Sequence, residues 1–411
     1  VQISASDFQA IERIAVGDNV LTAGKSLKWE TKTVVFSQGT TGASRQKYTV
    51  LVTYEDTALA VTSDHLFLLY GGNLITADRL TVKDQLVAPD GNPVKIKSVH
   101  IGDYTAGFHH IATSKTLEDP VELTGHLLNT NGVVSGDYAL QLLYRHDDMR
   151  TSFVASHDTL PVVGSPEYVS IHGDDCLQAP SEPTAPIRIA LNNAVSPKEE
   201  RLTRREGTFV PSIATIVPIP PDACSFISDA EAKQKAMDPK RAFNDPLSRE
   251  WSEYLVEHHR NFYPNVSYHI DWADNTVNAF AWVDAGTGIR HVALKGGLIR
   301  HSALELEGIA LVLAHELAHH FGGSPTFPEG LSCEGQSDYF GVRNVMRRVW
   351  FGDQYINTTD KAIAQMANFF GVPNSPNVPG GTSNCSHPAG ACRIATYHRA
   401  VNLGGKPNCA V

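Results

Sequence analysis

The chain has 411 residues, 42% of them hydrophobic, and a formal charge of −10 at neutral pH. That length accommodates two globular cores, while the negative balance argues against nucleic acid as the main ligand, because phosphate binding needs a concentrated positive surface. The longest apolar runs fall far short of the roughly 20 residues of a membrane-spanning helix, so no span is expected.

Residues 1–145 alternate apolar and polar positions in short runs such as Thr49-Val50-Leu51-Val52-Thr53-Tyr54, broken by Gly, Asn and Asp. This pattern predicts an all-β region with few helices. Two related stretches, Ile11 to Val20 and Ala77 to Leu86, suggest an internal duplication. With Thr62-Ser63-Asp64-His65 ahead of Leu66-Phe67-Leu68, and a terminal strand expected within Gly132 to Ala139, the region resembles a Hint domain, the self-processing fold of hedgehog C-terminal regions and inteins. The resemblance implies that His65 assists an acyl shift by donating to the leaving backbone nitrogen and that Thr62 orients the bond. The family's nucleophilic Cys or Ser stands further ahead of the first Gly-Asp than the 16 residues that precede Gly17, and no His-Asn pair closes the region. Self-processing by the family route is therefore not expected of this chain, and a trimmed sequence or a retained prodomain or adaptor are the two readings left open. No cleavable signal opens the chain, as expected of a mature or trimmed form.

Residues 146–225 hold ten of the 23 prolines and the charged patch Lys198-Glu199-Glu200-Arg201. That composition predicts a linker, protease-sensitive and wrapping a neighbour, with Ile187 to Leu191 and Phe209 to Pro218 apolar enough to dock as strands. From 226 onward the periodicity becomes helical. Asp245 to Arg260 has helix spacing around Trp251, Tyr254 and Leu255, and 265–295 reads as three strands, so residues 226–411 are expected to form an α+β domain.

The apolar run Ile309 to Ala314 predicts a buried helix, opened by a capping box over Ser302-Ala303-Leu304-Glu305 and stopped by Gly322-Gly323. It carries His315-Glu316-Leu317-Ala318-His319. Positions i and i+4 share a helix face, so both imidazoles reach one ion while Glu316 stays close enough to act on water there. His320 points about 100° away from His319 and is not counted as a ligand. Fourteen residues on, Glu334-Gly335-Gln336-Ser337-Asp338 lies in a second predicted helix, where Glu334 would be the third ligand and Asp338 would orient a ligand histidine.

Residues 265–400 resemble a gluzincin zinc metallopeptidase of the CAAX-protease-like group. Asn278-Ala279-Phe280-Ala281 matches its NAFA strand, followed by VALKGGLI, HELAHH, EGQSDYFG, and His387-Pro388 with Arg393. The resemblance implies one catalytic Zn2+, Glu316 as general base, and a polypeptide substrate paired to the edge of the strand that carries Asn278, Ala279, Phe280 and Ala281. It also implies that His387 and Arg393 stabilise the oxyanion. The chain departs from the group in the shorter 14-residue gap and in lacking a membrane span, which implies a soluble, compact variant. Six cysteines, at 176, 224, 333, 385, 392 and 409, avoid CxxC spacing, and their even number predicts disulfides and secretion. Cys385 and Cys392 are near enough to pair around His387, and Cys333 is placed to anchor the ligand helix, but 15 connectivities are open. Two functions follow: a secreted zinc endopeptidase carrying a Hint module, or a self-processing or display protein whose peptidase-like domain binds without cleaving. The oligomeric state is not legible.

Overall fold

A computed structural model describes residues 1–151, 192–195 and 217–411, apart from Thr41, Ala43, Asp119, Pro120 and Asn244. The expected linker thus falls mostly outside the described residues, as do the docking stretch Ile187 to Leu191 and most of Phe209 to Pro218. A β-rich N-terminal region is followed by a mixed α/β region, and the chain divides into two compact units whose described residues are 1–151, 192–195 and 260–264 in one and 217–259 and 265–411 in the other. Among the described residues no helix is long and apolar enough to cross a membrane.

In the first unit the longest pairing joins Arg45–Tyr54 to Pro93–Thr105, with Thr57–Val61 beside the former and Asn192–Val195 beside the latter. Every residue from Thr49 to Tyr54 is buried, so the stretch does not alternate between core and solvent, and Val50, Val52 and Tyr54 pack in one cluster with Phe67, Leu80 and Ile101. A six-stranded sheet contains Asn19–Ala23, Leu127–Thr130, Val133–Gly136 and Leu66–Leu68.

The duplicated stretches fold alike. Each begins with a single 3-10 turn, Ile11–Arg13 and Ala77–Arg79, followed by a buried anchor, Ile14 or Leu80. An aspartate then closes the next turn: Asp18 accepts from the Ala15 amide and Asp84 from the Thr81 amide, both at 2.8 Å. A short polar side chain that bonds backward to its own backbone makes such a turn self-sufficient.

The second unit has a four-stranded sheet in the order Cys224–Ser225, Ala279–Val283, Arg290–Lys295, Val266–Asp271. The last three are the strands expected over 265–295. The last pair is parallel and the other pairings are antiparallel. Helix Pro246–Arg260 buries Trp251, Tyr254 and Leu255, the face its spacing predicts, and Asp245 caps it by accepting from the Ser248 amide at 2.8 Å.

Helix Leu306–Phe321 is buried on all sides from Leu306 through His319 and ends at Gly322. Its start corrects the sequence expectation. Glu305 occupies the N-cap with no side-chain bond, so no capping box forms over Ser302 to Glu305. Gln365, on helix Gly352–Phe370, supplies the cap from outside: its Oε1 accepts from the Glu305 and Gly308 amides at 2.9 and 2.8 Å. An orphan amide needs an acceptor but does not care whether that acceptor is local.

The segment expected to carry a third ligand is helix Glu334–Phe340, continued by a π-helical turn over Gly341–Met346. Gly341 sits where the two helices touch: a Cβ there would lie 3.0 Å from the Ala314 carbonyl oxygen. The absent side chain lets the two helices close to bonding range of each other's polar groups. Two disulfides, Cys333–Cys385 and Cys392–Cys409, tie this region together and are consistent with an oxidising compartment. Cys333 does anchor the ligand helix, while Cys385 and Cys392, open as a pair in the sequence, go to separate bridges. Cys176 lies outside the described residues, and Cys224 is free.

Candidate metal centre

The buried helix presents His315 and His319 one turn apart, with their Nε2 atoms 3.1 Å from each other. Both rings are held by their other nitrogen. His315 Nδ1 donates to Asp338 at 2.9 Å, and His319 Nδ1 donates to the Ser332 carbonyl at 2.7 Å. A proton fixed on Nδ1 leaves the Nε2 lone pair facing the centre, which is how an outer partner prepares a ligand histidine. Glu334 completes the set, with Oε2 at 3.2 Å from His315 Nε2 and Oε1 at 3.7 Å from His319 Nε2.

Donors of these kinds could hold a metal ion, and His315, Glu316 and His319 each offer one ligand atom within 4.8 Å of the others. Nitrogen and oxygen atoms about 2.0–2.1 Å from one tetrahedral ion lie about 3.3 Å from each other; the two Nε2 atoms stand near that separation, while Glu334 approaches His315 through Oε2 and His319 through Oε1. The electrostatics agree. Both carboxylate oxygens of Glu316 and Oε2 of Glu334 are buried without a hydrogen-bond partner. Stranded carboxylate oxygens in a dry site cost heavily unless a cation faces them. Burial pushes the Glu316 carboxyl up to about 8, with neighbouring Glu334 adding to the rise. Burial works against charging His315, yet its hydrogen bond to Asp338 and the Glu334 carboxylate beside it raise it to about 9, while burial takes His319 down to about 4.

Asp338 is the hub behind the ligands. Its carboxylate accepts from His315, from Nε and Nη2 of Arg393, and from the Tyr397 hydroxyl at 2.9 Å. Burial opposes its charge, but the Arg393 guanidinium beside it holds the carboxyl far below the usual range. Arg393 is itself buried, pairs with Asp338, donates through Nη1 to the Phe226 carbonyl at 2.6 Å, and lies over the Phe226 ring. Those contacts engage the guanidinium with Asp338 and Phe226, while the resemblance implied a contact to the oxyanion. His387 does stand at the centre, with Nε2 3.6 Å from Glu334 Oε2, and donates to the Ser225 carbonyl at 2.7 Å. His320 turns away and donates to the His291 carbonyl at 2.9 Å.

The strand expected to receive substrate is already paired. Ala281 and Phe280 lie opposite Cys224 and Ser225, and the Ala279 carbonyl accepts from the Phe226 amide at 3.0 Å. Asn278 clamps Ile227 through both side-chain atoms, accepting from its amide at 3.1 Å and donating to its carbonyl at 2.9 Å. The open edge implied by the resemblance is thus corrected: the chain's own residues 224–227 fill it. Sequence reasoning also missed Cys224, whose thiol lies with ligand atoms of His319 and Glu334 inside a 4.8 Å group.

In the N-terminal unit Thr62 and His65 lie between strands Thr57–Val61 and Leu66–Leu68, and the His65 amide bonds the Thr62 carbonyl at 3.1 Å. Thr62 Oγ1 and His65 Nε2 are buried without partners, and burial takes His65 down to about 4. A second buried pair, His126 with Asp137 at 3.1 Å, was not singled out in the sequence. Asp137 also accepts from the amides of Thr113 and Leu140.

No known family profile matches the chain, and no curated protein matches it. Several solved structures are similar to the N-terminal third of the chain. A bacterial intein-like domain from Clostridium thermocellum shares 20% identity at a TM-score of 0.27, covering 33% of this chain and 93% of its own. The gp41-1 intein shares 19% at 0.26, over 33% and 92%. A DnaB intein from Synechocystis sp. PCC 6803 shares 15% at 0.25, over 32% and 89%. Functional readings of both units therefore rest on their own residues.

Proposed function

We propose that the C-terminal unit is a zinc-dependent endopeptidase acting outside the cytoplasm. The observation that carries this reading is the convergence of His315, His319 and Glu334, each histidine oriented from behind, beside a buried Glu316 whose oxygens have no other partner. His315, His319 and Glu334 hold the ion, and Asp338, itself fixed by Arg393 and Tyr397, sets the His315 ring. A bound zinc ion supplies Lewis acidity, lowering the pKa of its water to roughly 7 and polarising a carbonyl. Glu316 takes the proton of the attacking water and passes it to the leaving amine. His387 donates to the carbonyl oxygen of the bond under attack, the contact it already makes to Ser225. A polypeptide substrate is supported by residues 224–227, which show that Asn278 and the strand Ala279–Val283 hold extended backbone.

Metal analysis tests the reading. One zinc per chain is expected, and dialysis against a chelator should remove both the ion and casein hydrolysis, with zinc restoring both. Metal-free protein that never cleaves favours the display-protein alternative, in which the domain only binds.

For the N-terminal unit the proposal is a Hint-type module in which Thr62 and His65 act on a backbone amide. The partnerless Thr62 Oγ1 and His65 Nε2 support it, since buried polar atoms without partners are costly and await a ligand or substrate group. Intact mass of a longer precursor, alone and as His65→Ala, is the check: a precursor cut at the start of the unit only when His65 is present supports it, and identical masses sink it.

A further inference from the structure

Cys224 is the one free cysteine among the described residues, and its sulfur lies within 4.8 Å of a possible ligand atom of His319 and of Glu334. Three protein groups leave one corner of a tetrahedral ion open, and in a hydrolase that corner takes water or the substrate carbonyl. Here the Cys224 sulfur shares a 4.8 Å group with the nearest ligand atoms of His319 and Glu334, and Glu334 is buried with an oxygen that no hydrogen bond satisfies. A soft thiolate is a strong zinc ligand and competes well with water.

The backbone delivers that sulfur by a specific route. Cys224–Ser225 forms an antiparallel pair with the strand Ala279–Val283. His387 donates to the Ser225 carbonyl, Arg393 to the Phe226 carbonyl, and Asn278 grips Ile227 at both backbone atoms. The Phe226 ring is fully buried between His315, Phe369 and Phe370. Every group assigned above to holding a peptide is therefore in use by residues 224–227.

We propose that Cys224 is the fourth ligand of the zinc ion, carried there by a strand that occupies the cleft as an internal inhibitor, so that the folded chain is latent. This rests on the zinc-peptidase reading and adds to it a regulated state. With sulfur on the open corner, Glu316 has no water to deprotonate, and with the strand edge filled no substrate can align. Activity requires that the segment leave the cleft or that the thiol be modified. The sequence predicts the stretch before it to be protease-sensitive.

The test uses the full chain, with cobalt replacing zinc, beside Cys224→Ser and Cys224→Ala. The parent is expected to show a sulfur-to-cobalt charge-transfer band that both variants lack, while all three bind one metal per chain. Casein hydrolysis by the zinc forms should rise in the variants by at least about tenfold, reflecting the small fraction of parent chains whose cleft is open. In the parent, iodoacetamide labelling of Cys224, read by peptide mapping, should be slow with zinc and fast after chelation, a measurement that decides the matter even if a variant misfolds. Metal-loaded parent without the band, or with labelling indifferent to zinc, overturns the thiol ligand and leaves the peptidase reading standing. A band without any gain in the variants' rate overturns the latency. Absence of metal from all three proteins overturns both.

Discussion

Glu316→Gln is expected to keep one zinc per chain and to lose peptide hydrolysis by about 10²–10⁴-fold, the range usually supplied by a positioned general base. The substitution removes the proposed proton acceptor but preserves shape, and in the proposed centre the ion is held by His315, His319 and Glu334, although a Glu316 oxygen also lies within 4.8 Å of a ligand atom of each histidine. Its carboxylate oxygens have no hydrogen-bond partner in the fold, so exchanging one for an amide breaks no structural contact. Stability should therefore hold, because a neutral amide costs about as much to bury as a carboxyl that burial already pushes up to about 8. The comparison belongs in both the parent and the Cys224→Ser chain, so that a low parent rate does not hide the loss. Steady-state casein cleavage with metal content measured on the same sample gives the answer. Undiminished hydrolysis would remove Glu316 from the mechanism, and loss of zinc would recast it as a ligand.

What the sequence disclosed was whatever depends on neighbours along the chain. The i, i+4 spacing put His315 and His319 on one face, the helical period over Asp245 to Arg260 named the buried Trp251, Tyr254 and Leu255, and the repeated turn geometry of Ile11 to Val20 and Ala77 to Leu86 was written in matching residues. Contacts closed over long separations stayed hidden. Gln365 caps helix Leu306–Phe321 from another helix, so the local Ser302 to Glu305 pattern suggested a capping box that does not form. The strand Cys224–Ser225 is two residues long, too short to show a period, and only its partner strand defines it. The pairing of Arg393 with Asp338 was not legible either, because a sequence gives no account of where a guanidinium finds its carboxylate.

The strain between those two kinds of information is sharpest at Asp338, which ties its own helix to His315 and to helix Gly390–Val401, the carrier of both Arg393 and Tyr397. Asp338→Asn is expected to destabilise the C-terminal unit by about 3–5 kcal/mol, since it strands the buried Arg393 guanidinium without its counter-charge. For a unit of that size this corresponds to a melting temperature lower by about 6–20 °C. Zinc affinity should fall about 10–100-fold as His315 loses the partner that fixes its ring. These two effects have different origins and can be separated. Arg393→Gln removes the stranded charge, so in the Asp338→Asn/Arg393→Gln double variant the loss of stability should be clearly smaller than the sum of the single losses, a coupling expected of groups in direct contact. The zinc affinity should not recover, because the His315 ring still lacks its carboxylate. Thermal unfolding of the metal-free proteins measures the first effect and chelator competition the second. Strictly additive stability losses would show that Asp338 and Arg393 do not act as a pair, and unchanged zinc affinity in Asp338→Asn would show that His315 is oriented by something else.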